Sequence, residues 1–188
     1  MDWTRVKWSE ARQITRLLDW PATASDLDGA LSPSLYFEGL RSAGRTVEAV
    51  EFIGQALPRW EAVAWAARAV RDLQPDEEPS PAKAAALKSA LLWIQDPTES
   101  RRRAAFDAAE AAPATCAERL AALAAFYSGG SIAPPDCEPM PAAPNAAGRF
   151  ASGAVLVAAF SRPDHAVALA RCLDTGAALA AADDEKPT

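Results

Sequence analysis

The chain has 188 residues, a length that suits one compact domain. Half of the residues are hydrophobic, enough for a sizeable core, but much of that half is alanine, which favours thin helices in close contact. A formal charge of −6 argues against sequence-independent binding of nucleic acid, and no run approaches the roughly 18 apolar residues of a membrane span. The opening MDWTRVKWSEARQ lacks the apolar stretch of a secretory signal, so a cytoplasmic protein is expected.

The first predicted helix covers 9–19 and the second 33–43, where Ser32-Pro33 supplies a cap and a proline tolerated at the first helical position. Gly44 ends that helix, and Thr46 is expected to cap the next, 46–56. Over 59–73, Trp60, Val63, Ala67 and Val70 share one arc; over 81–95, opened by Ser80-Pro81, Leu87, Leu91 and Ile94 do the same. Asp96-Pro97-Thr98-Glu99 and Thr115-Cys116-Ala117-Glu118 read as capping boxes for helices at 97–112 and 116–127. The segment FASGAVLVAAF makes 146–160 apolar almost all round and therefore central, and Ser161-Arg162-Pro163-Asp164 is expected to open a last helix at 163–181. No segment alternates as a strand does. The expected fold is all-α, a single compact domain of about eight or nine helices over 1–182. A Gly/Pro-rich loop at 128–145 lies within it, and an acidic tail follows at 183–188.

The glycines of SGGS at 128–131 follow a helix instead of preceding one, the wrong end for a phosphate cradle; Gly129 and Gly130 read as a left-handed stop. Beyond them IAPPDCEPMPAAP has few backbone donors and should run extended over the surface, as a docked strap anchored by Ile132 and Met140 or as a recognition segment exposing Pro134 and Pro135.

Chemistry-bearing residues are sparse. The three cysteines, Cys116, Cys137 and Cys172, are odd in number and widely separated, which fits reduced thiols better than a disulfide framework or a zinc site. Cys137 sits between Asp136 and Glu138, whereas a nucleophilic thiol needs a base or a basic neighbourhood. His165, the one histidine, falls at an ordinary surface position in the first turn of the last helix. The carboxylates Asp76, Glu77 and Glu78, and Asp183, Asp184 and Glu185, sit in loop or tail sequence where solvation is the default role. Arg101, Arg102 and Arg103 are expected to form a solvated face, with Arg103 pairing with Glu99 and Asp107; Phe106 stands beside a flat face of Ala105, Ala109 and Ala112. No catalytic, cofactor or metal constellation emerges.

Six tryptophans are more informative. On a helical wheel Trp60 points inward, whereas Trp65 falls among Glu61, Arg68 and Asp72. An aromatic there is either covered by the N-terminal segment carrying Trp3 and Trp8 or left, with Arg68, as an interface anchor.

The succession LPRWEAVAWAARAVRDL, WIQDPTESRRRAAFDAAEAA, LAALAAFYSGGSIAPPD and GRFASGAVLVAAF resembles an uncharacterised family of small helical bacterial proteins found mostly among genes for type VI secretion systems. The resemblance covers about two thirds of the chain, and DCEPMPAAPN stands where that family has a longer unbroken proline run. It implies a non-catalytic accessory that binds a toxic effector, its adaptor chaperone or a spike component before loading. A small-molecule enzyme built on His165, Cys137 or the arginines is one competing reading, and a self-associating structural module is another.

Overall fold

The computed structural model describes residues 2–20, 29–75 and 78–181; Asp76, Glu77, Asp183, Asp184 and Glu185 lie outside that set, as does the tail from 182. The described residues form nine helices and no strand: α1 (Ala11–Leu17), α2 (Pro33–Ser42), α3 (Thr46–Ala56), α4 (Arg59–Asp72), α5 (Pro81–Gln95), α6 (Glu99–Ala111), α7 (Ala117–Phe126), α8 (Ala146–Phe160) and α9 (His165–Ala181). The all-α expectation holds, and α3, α5 and α8 run between the residues expected from sequence.

Proline and glycine punctuation explains most of the boundaries. Ser32 caps α2 through its hydroxyl, and Gly44 follows that helix with φ 71°, a left-handed conformation that lets the chain reverse at once into α3. Several caps differ from expectation. Asp96 closes α5, and Thr98 opens α6 by accepting from the Arg101 N–H, so Glu99 becomes the first helical residue and is released from any capping box. Likewise Cys116, not Thr115, caps α7, its Sγ accepting from the Arg119 N–H at 3.4 Å. Thr46 is already inside α3, and Ser161 closes α8 with its hydroxyl on the Ala158 carbonyl.

Helix α8 occupies the centre, packed by α3, α4, α7 and α9. Its close approach to α3 depends on small residues. Gly148 and Gly54 face each other so tightly that a methyl on Gly148 would stand 2.9 Å from the Gly54 carbonyl oxygen, and one on Gly54 would overlap Ser152 Oγ. Ser152 shares its hydroxyl between the carbonyls of Val50, at 3.2 Å, and Gly148, at 2.9 Å. The small face of α6 behaves as expected: Ala105, Ala109 and Ala112 are buried, with Phe106 against the Phe126 ring at 4.5 Å. The chain before α2 is tied to the other end of the sequence, since the Arg5 N–H donates to the Ala180 carbonyl and Asn145 Nδ2 to that of Leu17.

Trp65 overturns the helical-wheel expectation. It is 0% exposed and so is no interface anchor, which leaves the covered alternative; Arg5 of the N-terminal segment pairs with Glu61, one turn before it, at 3.4 Å. Helix α4 is packed by α5, α7, α8 and α9, and apart from Arg59 at its start its exposed positions are Arg68, Arg71 and Asp72. The indole slots between Gly54 of α3 and Gly176 of α9, where a methyl on Gly176 would come within 3.2 Å of Nε1. Trp60 is the half-buried one; its Nε1 donates to the Ile94 carbonyl at 3.2 Å.

Candidate functional site

The triple arginine of α6 does not form a solvated face. Arg101 turns back to the end of α5, donating to the Leu92 carbonyl at 2.7 Å and pairing with Asp96 at 3.2 Å. Arg102 is 4% exposed, with its guanidinium over the Phe126 ring, 4.7 Å from the centroid. Its Nη1 donates to the Phe126 carbonyl, and its Nη2 donates to that of Ser131 at 2.7 Å. Arg103 donates to the carbonyls of Ser131 at 3.1 Å and Ala133 at 2.9 Å. From α4, Arg59 adds a bond to the Ser128 carbonyl at 3.1 Å. Three cations therefore hold the backbone that leaves α7. A buried carbonyl needs a donor, and a sequence whose prolines remove N–H groups takes its donors from these side chains.

Glu99 organises the pair. It accepts from Arg102 at 2.7 and 2.8 Å and from Arg103 at 2.9 Å, the i+3 and i+4 neighbours on its own helix. The hydrogen bond from Arg102 is the largest cause that holds the Glu99 carboxyl down at about 2; partial desolvation works against it and Arg103 adds to it. The expected Arg103–Asp107 pair is not among the ion pairs formed by the described residues, because Arg103 is drawn toward the loop instead.

The loop itself is a closed turn, not an extended strap. The Ile132 N–H donates to the Met140 carbonyl at 2.8 Å, and Ser131 and Pro141 form an isolated antiparallel bridge. Ser131 Oγ accepts from the N–H groups of Ala133, at 3.1 Å, and Met140, at 3.0 Å. At the tip the Cys137 N–H donates to the Pro134 carbonyl, a four-residue turn with Pro135 at the position where its fixed φ is favoured. Gly130, with φ 65°, lies so close to the Arg102 guanidinium that a methyl there would stand 3.0 Å from it. Gly129 has no positive φ, so the left-handed turn belongs to Gly130 alone.

Pro134 to Met140 all project into solvent, with Asp136 and Glu138 on the tip. Ile132 is half-buried, but Met140 is 52% exposed and anchors the loop through its backbone, not its side chain. Of the expected partner-binding residues, Ile132, Pro134, Pro135 and Met140 are thus gathered on one loop. Trp65 is withdrawn into the core, and Arg68 stands elsewhere, on the lip of a groove between α4 and α9 that no loop residue lines.

A family model for a family of unknown function, DUF6931, matches residues 36–180. The chain belongs to the DUF6931 family. No curated protein and no solved structure matches it. The DUF6931 span holds α3 to α8 complete, and with them Arg59, Glu99, Arg102, Arg103 and the whole 128–141 loop; α1 falls outside it.

The residues weighed for catalysis are not brought together. His165 is exposed at the start of α9, its ring 5.6 Å from that of Phe160, while Cys137 is on the loop tip and the arginines bind main chain. A cleft of about 500 Å³, floored by Val70, Val157 and Ala158 and edged by Lys83, Cys116 and Glu118, contains none of them. Burial pushes the Cys116 thiol up, with Glu118 adding to the effect and the Arg119 N–H opposing it. Among the described residues no cluster of His, Cys, Asp and Glu could hold a metal ion, and no helix is long and apolar enough to cross a membrane. The expected Glu99–Arg103 pair forms, whereas sequence reasoning missed Arg59 and the burial of Arg102. For Arg102 the signal was Glu99 three residues before it, in a chain whose proline loop lacks donors of its own; nothing local marks Arg59.

Proposed function

We propose that the protein is a non-catalytic binding accessory that holds a type VI secretion effector, or the adaptor chaperone carrying it, before loading onto the spike. The observation that carries a binding role is the division of labour in the loop: three arginines fix residues 128–133 by their carbonyls, while the side chains of Pro134 to Met140 face solvent on a backbone closed by its own hydrogen bonds. Ordering a surface loop costs conformational entropy. A tip already fixed in shape avoids much of that cost at the moment of binding. The resemblance to proteins of type VI secretion loci supplies the class of partner.

The test is co-expression with effector, adaptor and spike proteins encoded beside the gene, followed by affinity purification. The wild-type chain should retain one of them, and a tip variant combining Asp136→Asn, Glu138→Gln and Met140→Ser should bind at least about tenfold more weakly. Failure to retain or stabilise any of the three, or equal retention by the tip variant, overturns the reading.

A further inference from the structure

Helices α4 and α9 enclose an open groove of about 450 Å³, floored by Trp65, Ala69, Ala168 and Cys172. Four charged residues line it: Arg68 and Asp72 from α4, Arg171 and Asp174 from α9. The two acids are already engaged from outside the groove, Asp72 by Arg71 at 2.8 Å and Asp174 by Arg41 at 2.7 Å. Arg68 and Arg171 are exposed, and among the described residues neither forms an ion pair or a side-chain hydrogen bond. Arg41 also pairs with Glu38 at 3.8 Å, so the groove and its immediate neighbours carry four arginines against three acids, a local surplus of one positive charge on a chain whose formal charge is −6.

Guanidinium groups take carboxylates in a two-pronged geometry that lysine cannot reproduce. The lining residues run from Trp65 to Asp72 on α4 and from Ala168 to Thr175 on α9, eight positions each and about 10 Å at the helical rise. An extended peptide covers that length with about three residues. The floor residues are buried, Trp65 completely, so the chemistry the groove presents to solvent is that of the charged side chains along it.

We propose that this groove receives a short acidic segment of a partner protein, with its carboxylates on Arg68 and Arg171. The surface is separate from the loop, and the proposal stands whether or not the loop tip binds anything.

The experiment uses the full chain and a fluorescein-labelled hexapeptide of glutamate and glycine, followed by fluorescence anisotropy at low and at physiological salt. Binding should weaken as salt rises, and it should weaken about tenfold or more in the Arg68→Gln/Arg171→Gln double variant. An Arg16→Gln control removes an equivalent exposed charge from α1, which packs on α2 and α3, and should leave binding unchanged. Circular dichroism confirms that each variant is folded, as the exposure of both arginines leads one to expect. Three results overturn the proposal: equal binding of the glutamine counterpart of the peptide, retained binding in the double variant, or displacement of the peptide by succinate at equimolar concentration, which would mark a site for a small dicarboxylate.

Discussion

The indole nitrogen of Trp65 donates to the carbonyl oxygen of Cys172 at 2.8 Å, joining α4 to α9 across 107 residues of sequence. Gly176, one turn further along α9, lacks the side chain that would keep the indole away from that carbonyl. An aromatic ring, a glycine and a main-chain acceptor therefore act as one unit.

Removing that ring should be the most costly single truncation of a tryptophan here. Trp65→Ala is expected to lose about 3–5 kcal/mol to the cavity alone. Trp65→Phe keeps most of the volume but leaves the carbonyl without its indole donor, at about 1 kcal/mol. Trp60→Ala should cost less than Trp65→Ala because Trp60 is only partly buried. Urea unfolding of the three variants gives the order, and a larger loss for Trp60→Ala would contradict it.

The α3–α8 crossing should tolerate no added methyl. Gly148→Ala places a Cβ 2.9 Å from the Gly54 carbonyl oxygen, main chain that cannot swing aside. A loss of about 1–3 kcal/mol is expected, the usual range for overpacking. Gly39→Ala, where nothing lies within 4 Å, is the matched control and should be neutral or slightly stabilising in the interior of α2.

Arg102 should matter more than its charge suggests. Arg102→Ala strips donors from the carbonyls of Phe126 and Ser131 and leaves a void under Phe126, for a loss of about 2–4 kcal/mol. Amide exchange at Ile132, whose N–H closes the loop on Met140, should accelerate in this variant even where the global fold persists.

Acid should release the clamp at Glu99. Its carboxyl titrates near 4.5 when unperturbed and at about 2 in the fold, so ionisation favours the folded state. The contribution is fully present above pH 4.5 and disappears as pH falls through about 2. The stability difference between wild type and Glu99→Gln should be constant above pH 5 and shrink between 4.5 and 2. A difference that grows on acidification would reverse the sign.

Thiol modification should separate the three cysteines by position. Cys137 is exposed on the loop tip, whereas Cys116 and Cys172 are buried. Burial, with a smaller push from Asp72, raises the Cys172 thiol to about 11. A maleimide at neutral pH should label one residue in the native protein and three in urea, and mass mapping should place the native label on Cys137.

The helices were legible in the sequence because their punctuation is local: Ser32-Pro33, Gly44 and Ser80-Pro81 act within a few residues of themselves. Side-chain direction on α4 was not. A wheel assumes one dry face, and α4 is packed on several sides, so the polarity of Glu61, Arg68 and Asp72 left Trp65 open between a covered residue and an interface anchor, and only packing decides for the first. The arginine clamp was half legible. The Glu99–Arg103 spacing was visible, but the acceptors, the carbonyls of Phe126, Ser131 and Ala133, carry no mark in a one-letter code. Caps moved by one or two residues for the same reason, since Thr98 and Asp96 are both competent and only packing decides between them.

The Trp65–Cys172 contact also sets a schedule for synthesis. Translation proceeds at about 5–20 residues per second, so Trp65 waits about 5–20 seconds for Cys172 to be made. During that interval the nascent chain presents an uncovered indole, with Ile53 beside it. Whatever attends this protein at the ribosome meets, in that window, an apolar surface that the finished molecule never displays.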